Sequence, residues 1–318
     1  SCYYHDAAAC LIKDGKIMAI CPLILEDKNG VKEFSYSNYY GFVPAFVNNL
    51  SKKEREKAMK IVFEYIDSLA KENNVKRVRM RFMVLNSSFL EKQEQKCNYL
   101  MKFGYLDNSL NTQIIDLRLS KEDLRKEVRH GHDSGIDMAS KILTAEIFSN
   151  ANITKKDFDL YVCLHHKAAG RTTRAAMTFD MMYDWIKEGD AFLVGAKKDG
   201  AFVGFSYFFI FKSNAYYGSA CNNPEVRNIP VAHFIQWKAI EWMSQKKIKF
   251  YEIGWQHYAD TLQDFPSDKE INISAFKRGF GGFSVPLFLA EKYYDKEFFL
   301  SEYTLRTKKY AELNFKTQ

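Results

Sequence analysis

The chain has 318 residues, 47% hydrophobic and 15% aromatic, with a formal net charge of +7. That length exceeds one typical core and points to two globular domains with large apolar interiors. The numbers exclude a disulfide scaffold and argue against nucleic-acid binding as the main activity: six cysteines are scattered without a CxxC pair, and the mild positive charge comes with no nucleic-acid motif. No run of about 18 apolar residues offers a membrane span, and no charged-then-apolar leader is visible, so a cytoplasmic location is expected. No metal is expected either. His130 and His132, and His165 and His166, form the only histidine clusters, and neither has a Cys or acidic partner at ligand spacing.

The chain opens abruptly on "SCYYHDAAACLI", which reads like the middle of a fold. "AAACLIKDGKIMAICPLIL" follows as a hairpin turning at Asp14-Gly15. "SKKE" at Ser51 is a capping box, and Ala58, Ile61, Val62, Tyr65, Ile66 and Leu69 repeat at helical spacing to a stop near Asn73. "VKRVRMRF" alternates Val78, Met80 and Phe82 with Arg77, Arg79 and Arg81, a strand with one apolar and one basic face. Further helix starts stand at Ser88, Ser120 and Thr154. A long helical stretch is expected from Lys121 to Glu188, interrupted near Asn152 and Gly170. "AFLVGAKKDGAFVGFSYFFIF" is a second hairpin, turning at Asp199-Gly200. It is followed by "AYYGSAC", a helix from Pro230 to Gln245, and the strand "IKFYEIG". The order hairpin, strand, helix, strand therefore occurs twice, which means two related domains. The expected boundary gives 1–119 and 120–318, the second carrying a C-terminal helix.

This order, with "FKRGFGG" (Phe276 to Gly282), "RTTRAAMTFDMMYDWI" and "YEIGW", resembles the FemAB-like branch of the GNAT acyltransferase superfamily. The resemblance implies an α/β (α+β) chain of two tandem GNAT-like domains, the first incomplete at its N-terminus. It implies an acyl- or aminoacyltransferase that forms an amide on a cell-envelope precursor. The glycine-rich pyrophosphate turn of acyl-CoA enzymes is missing from both "GFVPAFVNNLSKKE" and "CNNPEVRNIPVAHF". No cofactor is expected to be permanently bound, and the donor is left between aminoacyl-tRNA and acyl-CoA. The partners implied are a nucleotide-linked or lipid-linked sugar or peptide acceptor and, for the first donor, charged tRNA. Two alternatives stay open: acyl-CoA-dependent N-acylation of a sugar nucleotide, and a non-catalytic carbohydrate-binding relative.

The lysine of the family's "FKxGFGG" assists with substrate phosphates or with charge near the reacting carbonyl. That role falls on Lys277, with Gly279, Gly281 and Gly282 allowing close backbone approach. The residues alone read equally as a turn between strands with solvated cations. Arg171 and Arg174 in "RTTR" suit phosphate or carboxylate recognition. Arg77, Arg79 and Arg81 offer either a solvated face or a pyrophosphate cradle. After the last strand of the repeat, Trp255, Gln256, His257 and Tyr258 are candidates for an acceptor pocket, with His257 as proton acceptor. Tyr216 and Tyr217 alternate faces, and Tyr217 is the one assigned to substrate. Ser206, Ser219 and Cys221 show no base partner, so covalent catalysis is unsupported.

Overall fold

The computed structural model describes residues 2–37, 39–85, 90 and 97–315. In chain order, β1 (Cys2–Asp6), β2 (Ala9–Lys13), β3 (Lys16–Cys21), β4 (Ile24–Lys28), β5 (Val31–Phe34), β6 (Gly41–Phe42) and β7 (Ala45–Phe46) precede α1 (Lys52–Glu72). Then come β8 (Arg77–Arg81), a short 3-10 helix (Tyr99–Phe103), β9 (Leu106–Asp107) and β10 (Leu110–Asp116). The middle of the chain holds α2 (Lys121–Glu127), α3 (His130–Ser140), β11 (Thr144–Phe148), α4 (Lys155–Ala169) and α5 (Ala176–Glu188). Next are β12 (Ala191–Lys198), β13 (Ala201–Phe211), β14 (Asn214–Asn222), α6 (Val231–Gln245) and β15 (Phe250–Gln256). The last elements are α7 (Asp268–Arg278), β16 (Phe283–Leu287), β17 (Leu289–Tyr293) and α8 (Lys296–Asn314).

Local chemistry explains most of these boundaries. Ser51 forms the reciprocal capping box with Glu54, and Ser120 and Thr154 cap α2 and α4. The helix start expected at Ser88 lies outside the described residues. Asp14-Gly15 and Asp199-Gly200 both turn with positive φ at each residue, the twist that joins antiparallel strands tightly. The expected helical stretch 121–188 contains a strand instead: β11 pairs antiparallel with β12, Thr144 opposite Lys197 through Phe148 opposite Leu193. Five residues are too few for a periodic signal to separate strand from helix.

The chain forms two compact units. The first comprises 1–111, 257–271 and 286–318; the second comprises 112–256 and 272–285. This differs from a single break after 119. The tail returns because β17 pairs antiparallel with β8, Leu289 opposite Arg81 and Tyr293 opposite Arg77, and so completes the first sheet.

That sheet runs β1-β4-β5-β8-β17-β9, with β6 also pairing β8. β5 and β6 lie parallel to β8, and the covering helix α1 buries Ala58, Val62, Phe63, Ile66 and Ala70. The hairpin of the repeat is therefore β4–β5, turning at Asn29-Gly30. The Asp14-Gly15 hairpin belongs to a separate three-stranded sheet, β2-β3-β7. Both hairpins carry equally good turn residues, so turn chemistry alone does not choose between them.

The second sheet runs β11-β12-β13-β14-β15-β10-β16. Strands β14 and β15 pair in parallel and are bridged by α6, as a parallel crossover requires. One face packs Phe192, Phe208, Ile235, Trp237 and Tyr251 around α6. The other packs Phe158, Tyr161, Phe205 and Tyr207 against α4 and α5.

Candidate active site

The parallel pair of the second sheet is short. Asn214, Ala215 and Tyr216 pair with Phe250, Tyr251 and Glu252, and the C-terminal halves of the two strands then run on without pairing each other. Open α/β sheets place ligands at such strand ends. Register fixes which side chains share a face. Tyr216 sits opposite both Phe209 and Glu252, and Ser219 sits opposite Tyr207. Residues directly opposite each other point to one side. Ser219, Tyr216, Glu252 and position 254 thus line the α4/α5 face of the sheet.

Lys277 reaches this face from the last turn of α7, not from a loop between strands. Gly254 in "YEIGW" has φ +114, and a methyl group there would lie 2.8 Å from Lys277 Nζ. The glycine in the strand and the lysine in the helix are complementary: the missing side chain of one is the space filled by the other. The ammonium makes no hydrogen bond or ion pair among the described residues. Burial pulls its pKa below the ordinary lysine value, and the charge of Glu252 opposes that. Glu252 is itself 4% exposed and accepts from Thr112 Oγ1 at 2.8 Å.

The three glycines serve the chain rather than an open approach to ligand. A methyl group on Gly279 would meet His132 Nε2 at 2.2 Å, one on Gly281 would meet Glu127 Cβ at 2.6 Å, and one on Gly282 would meet the Ile114 carbonyl oxygen at 2.1 Å. Gly281 and Gly282 also have φ of +84 and +78. "GFGG" is thus a helix exit pressed against α2, α3 and β10, and it carries Lys277 with it.

A second cluster shares the face. His165 on α4 is buried; its Nε2 accepts from Arg174 NH1 at 3.0 Å and from Ser219 Oγ at 3.3 Å, while its Nδ1 donates to Thr173 Oγ1 at 3.1 Å. Burial and the neighbouring Arg174 and His166 lower its pKa, in keeping with the neutral ring that this bonding requires. Ser219 does therefore have a histidine partner, which the sequence did not reveal. The same nitrogen also receives the guanidinium, however, so its lone pair is shared and the histidine orients Arg174 rather than activating the serine. Arg174 has no carboxylate partner among the described residues, and it stands immediately before α5, whose first turn has no side-chain cap. Tyr161 adds a buried hydroxyl close to Ser219 and Arg174 but outside good hydrogen-bond geometry with either; burial pushes its pKa up to about 12, and those two neighbours oppose the rise.

Other assigned residues fall elsewhere. Arg171 is exposed. Tyr217 is packed in the α6-side core, stacked on Phe208 at 5.6 Å, because its neighbour Tyr216 takes the site face. Gln256 is buried and occupied: it donates to the Gly254 carbonyl and accepts from Arg278 NH1 at 2.9 Å. Trp255 is half-buried on β15, and Tyr258 is 51% exposed. His257 opens the segment that belongs to the first unit, where its Nδ1 lies 2.6 Å from Asp264 Oδ2. The arginine face of β8 is neither solvated nor a cradle. Arg77 and Arg79 both donate to Glu33 at 2.7 Å, and Arg81 lies over the Phe42 ring. Among the described residues, no group of three His, Cys, Asp or Glu is placed to hold a metal ion, and no helix is long and apolar enough to cross a membrane.

No protein-family model and no curated protein matches the sequence. Solved structures do. FemX aligns over 94% of this chain and 90% of its own, with a TM-score of 0.63 and 14% identity. L-PGS from Bacillus licheniformis covers 91% of this chain and 85% of its own, at TM-score 0.60 and 10% identity. The chain has the FemAB-like tandem GNAT fold. A tandem GNAT protein from the clavulanic acid biosynthesis pathway aligns over 90% of this chain and 83% of its own, at TM-score 0.50 and 12% identity, consistent with one GNAT-like sheet in each unit.

Proposed function

We propose that the protein is an acyl- or aminoacyltransferase that forms an amide on an amine of a sugar- or peptide-containing envelope precursor. The observation that carries this reading is the Lys277 ammonium held over Gly254 on the same sheet face as Arg174, neither of them in an ion pair among the described residues. Amide formation needs a cation where the carbonyl oxygen becomes negative, and fixed donors there cost no reorganisation during reaction. Lys277 supplies that charge. Arg174, oriented by His165 and Ser219, takes an anionic group of the substrate, for which a guanidinium fork suits a phosphate.

The amine attacks the donor carbonyl and the C–O or C–S bond to the carrier breaks. The departing oxygen or sulfur takes the proton that the amine loses, so the step balances without a dedicated base. The missing glycine turn of acyl-CoA enzymes favours an aminoacyl donor.

Donor trials test this. Aminoacyl-tRNA and CoA thioesters are each offered with nucleotide-linked and lipid-linked amino-sugar or peptide acceptors, and product mass is measured. Amide product from aminoacyl-tRNA, lost in Lys277→Met, is the expected result. Product from thioesters alone would replace the donor. Tight carbohydrate binding without turnover by any donor would overturn the enzymatic reading.

A further inference from the structure

Helix α7 ends at Arg278, and its last carbonyls have no next turn to bond in the ordinary helical pattern. The Phe276 carbonyl, one residue before Lys277, accepts from Gly279 N at 3.1 Å in a tightened final turn, and its second lone pair is met by His132 Nε2 at 2.8 Å. A carbonyl only accepts, so Nε2 carries the proton and Nδ1 is left as an acceptor. Nδ1 duly receives Arg129 NH2 at 3.1 Å. The ring is neutral, 2% exposed, and wedged edge-on against Phe280 at 4.9 Å and His233 at 4.4 Å.

The same junction grips the chain just beyond. Arg129 N donates to the Gly279 carbonyl at 2.9 Å, and Glu127 Oε2 accepts from Gly282 N at 2.9 Å. The imidazole occupies the space where a side chain on residue 279 would stand. The α2–α3 junction and the exit of α7 are therefore held together at three successive points.

We propose that His132 is the positioning residue for Lys277: its Nε2–H bond to the Phe276 carbonyl fixes the last turn of α7 and so holds the ammonium over Gly254. The inference rests on Lys277 being the functional cation. The geometry explains why a histidine is used. Its ring is rigid, it fills the volume beside Gly279, and it donates and accepts at once. Phenylalanine keeps the ring and loses the donor, whereas glutamine keeps a donor at the same reach. Lys277 is separated from Phe276 by a single residue step, so a small rotation of this turn carries Nζ away from the strand. Around the imidazole the charged and titratable groups are Arg129 on its own junction and His233 on α6; it also meets the Phe276 ring of α7 and the Phe280 ring just beyond that helix. The charged group facing Lys277 is Glu252 on β15.

The experiment needs no substrate, so it stands apart from the transferase reading. The 318-residue protein is labelled competitively with acetic anhydride between pH 6 and 11, and acetylation of the Lys277 peptide is followed by mass spectrometry. In the wild type Lys277 reacts at lower pH than the exposed lysines. In His132→Phe its labelling midpoint moves up in pH, and its rate at pH 8 falls about threefold, the change for roughly half a pKa unit. His132→Gln retains the wild-type profile. Thermal melts monitor folding; if His132→Phe does not fold, His132→Asn, too short to reach the carbonyl, must show the same shift. An unchanged Lys277 profile in a folded Phe or Asn variant would overturn the assignment, and so would a Gln variant that behaves like Phe. If the profiles follow the proposal while no donor supports transfer, the positioning stands and only the reaction is lost.

Discussion

In the first unit Arg77 and Arg306 lie among Glu33, Glu291 and Glu302: Arg77 NH2 meets Glu33 at 2.7 Å, Arg77 NH1 meets Glu302 at 2.9 Å, and Arg306 NH1 meets Glu291 at 2.5 Å. The carboxylates raise both arginine pKa values further, while the arginines hold Glu291 low although it is 0% exposed. In the second unit Lys277 has only Glu252 as a charged influence, and Arg174 has a neutral histidine and a serine. Both regions remove cations from water. In the first, the opposite charges are supplied by the protein, and they tie α8 to β17 and β8. In the second they are left to be supplied, which is the mark of a site rather than a scaffold.

Removing one partner from each region breaks this comparison most directly. Glu291→Ala leaves Arg77 and Arg306 buried beside an empty position. A loss of about 3–5 kcal/mol in urea unfolding is expected, and a loss under about 1 kcal/mol would show the network to be ornamental. Lys277→Met removes a cation that no ion pair holds among the described residues, with Glu252 as its charged influence. Stability should stay within about 1 kcal/mol of wild type while transfer falls about 10²–10³-fold. A variant that unfolds like Glu291→Ala would make Lys277 part of the scaffold.

A smaller effect is expected at the helix exit. Gly279→Ala forces a methyl group into the His132 ring and should cost about 1–3 kcal/mol. Combined with His132→Ala the loss should be less than the sum, since the clash disappears, and a double-mutant cycle on denaturation curves reads that coupling. The effect that is smallest at neutral pH, and emerges only on acidification, is on pH dependence. His233 is held down to about 4, first by burial and then by His132 and Arg129. Between the ordinary histidine value and about 4 the unfolded chain binds a proton that the folded one refuses, so stability falls as pH falls through that window. His233→Phe should flatten that part of the pH–stability curve, and an unchanged slope would place the acid sensitivity elsewhere.

Much of the fold was legible because it is written locally. Ser51, Ser120 and Thr154 announce their helices, and Asp-Gly at 14–15 and 199–200 announces two hairpins. The site was legible in part. "FKRGFGG" and "RTTR" single out Lys277 and Arg174, but the glycines prove to answer to His132, Glu127 and Ile114, and Arg174 to His165. Nothing in "HHKAAG" marks His165 as an orienting group, apart from its lying nine residues before an arginine. Tyr217 was assigned in place of Tyr216 because alternation separates two faces without naming which is inside.

By itself, then, the sequence determined the helices, the turns, the twofold order of elements and the two cations worth attention, since each depends on a few neighbouring residues. Only the tertiary structure decided that the tail's β17 completes the first sheet, that the β4–β5 hairpin rather than the Asp14-Gly15 one joins it, and that His132 braces Phe276 from 144 positions away. Such pairings are set by register and by the shape of packed surfaces, and neither leaves a periodic trace along the chain.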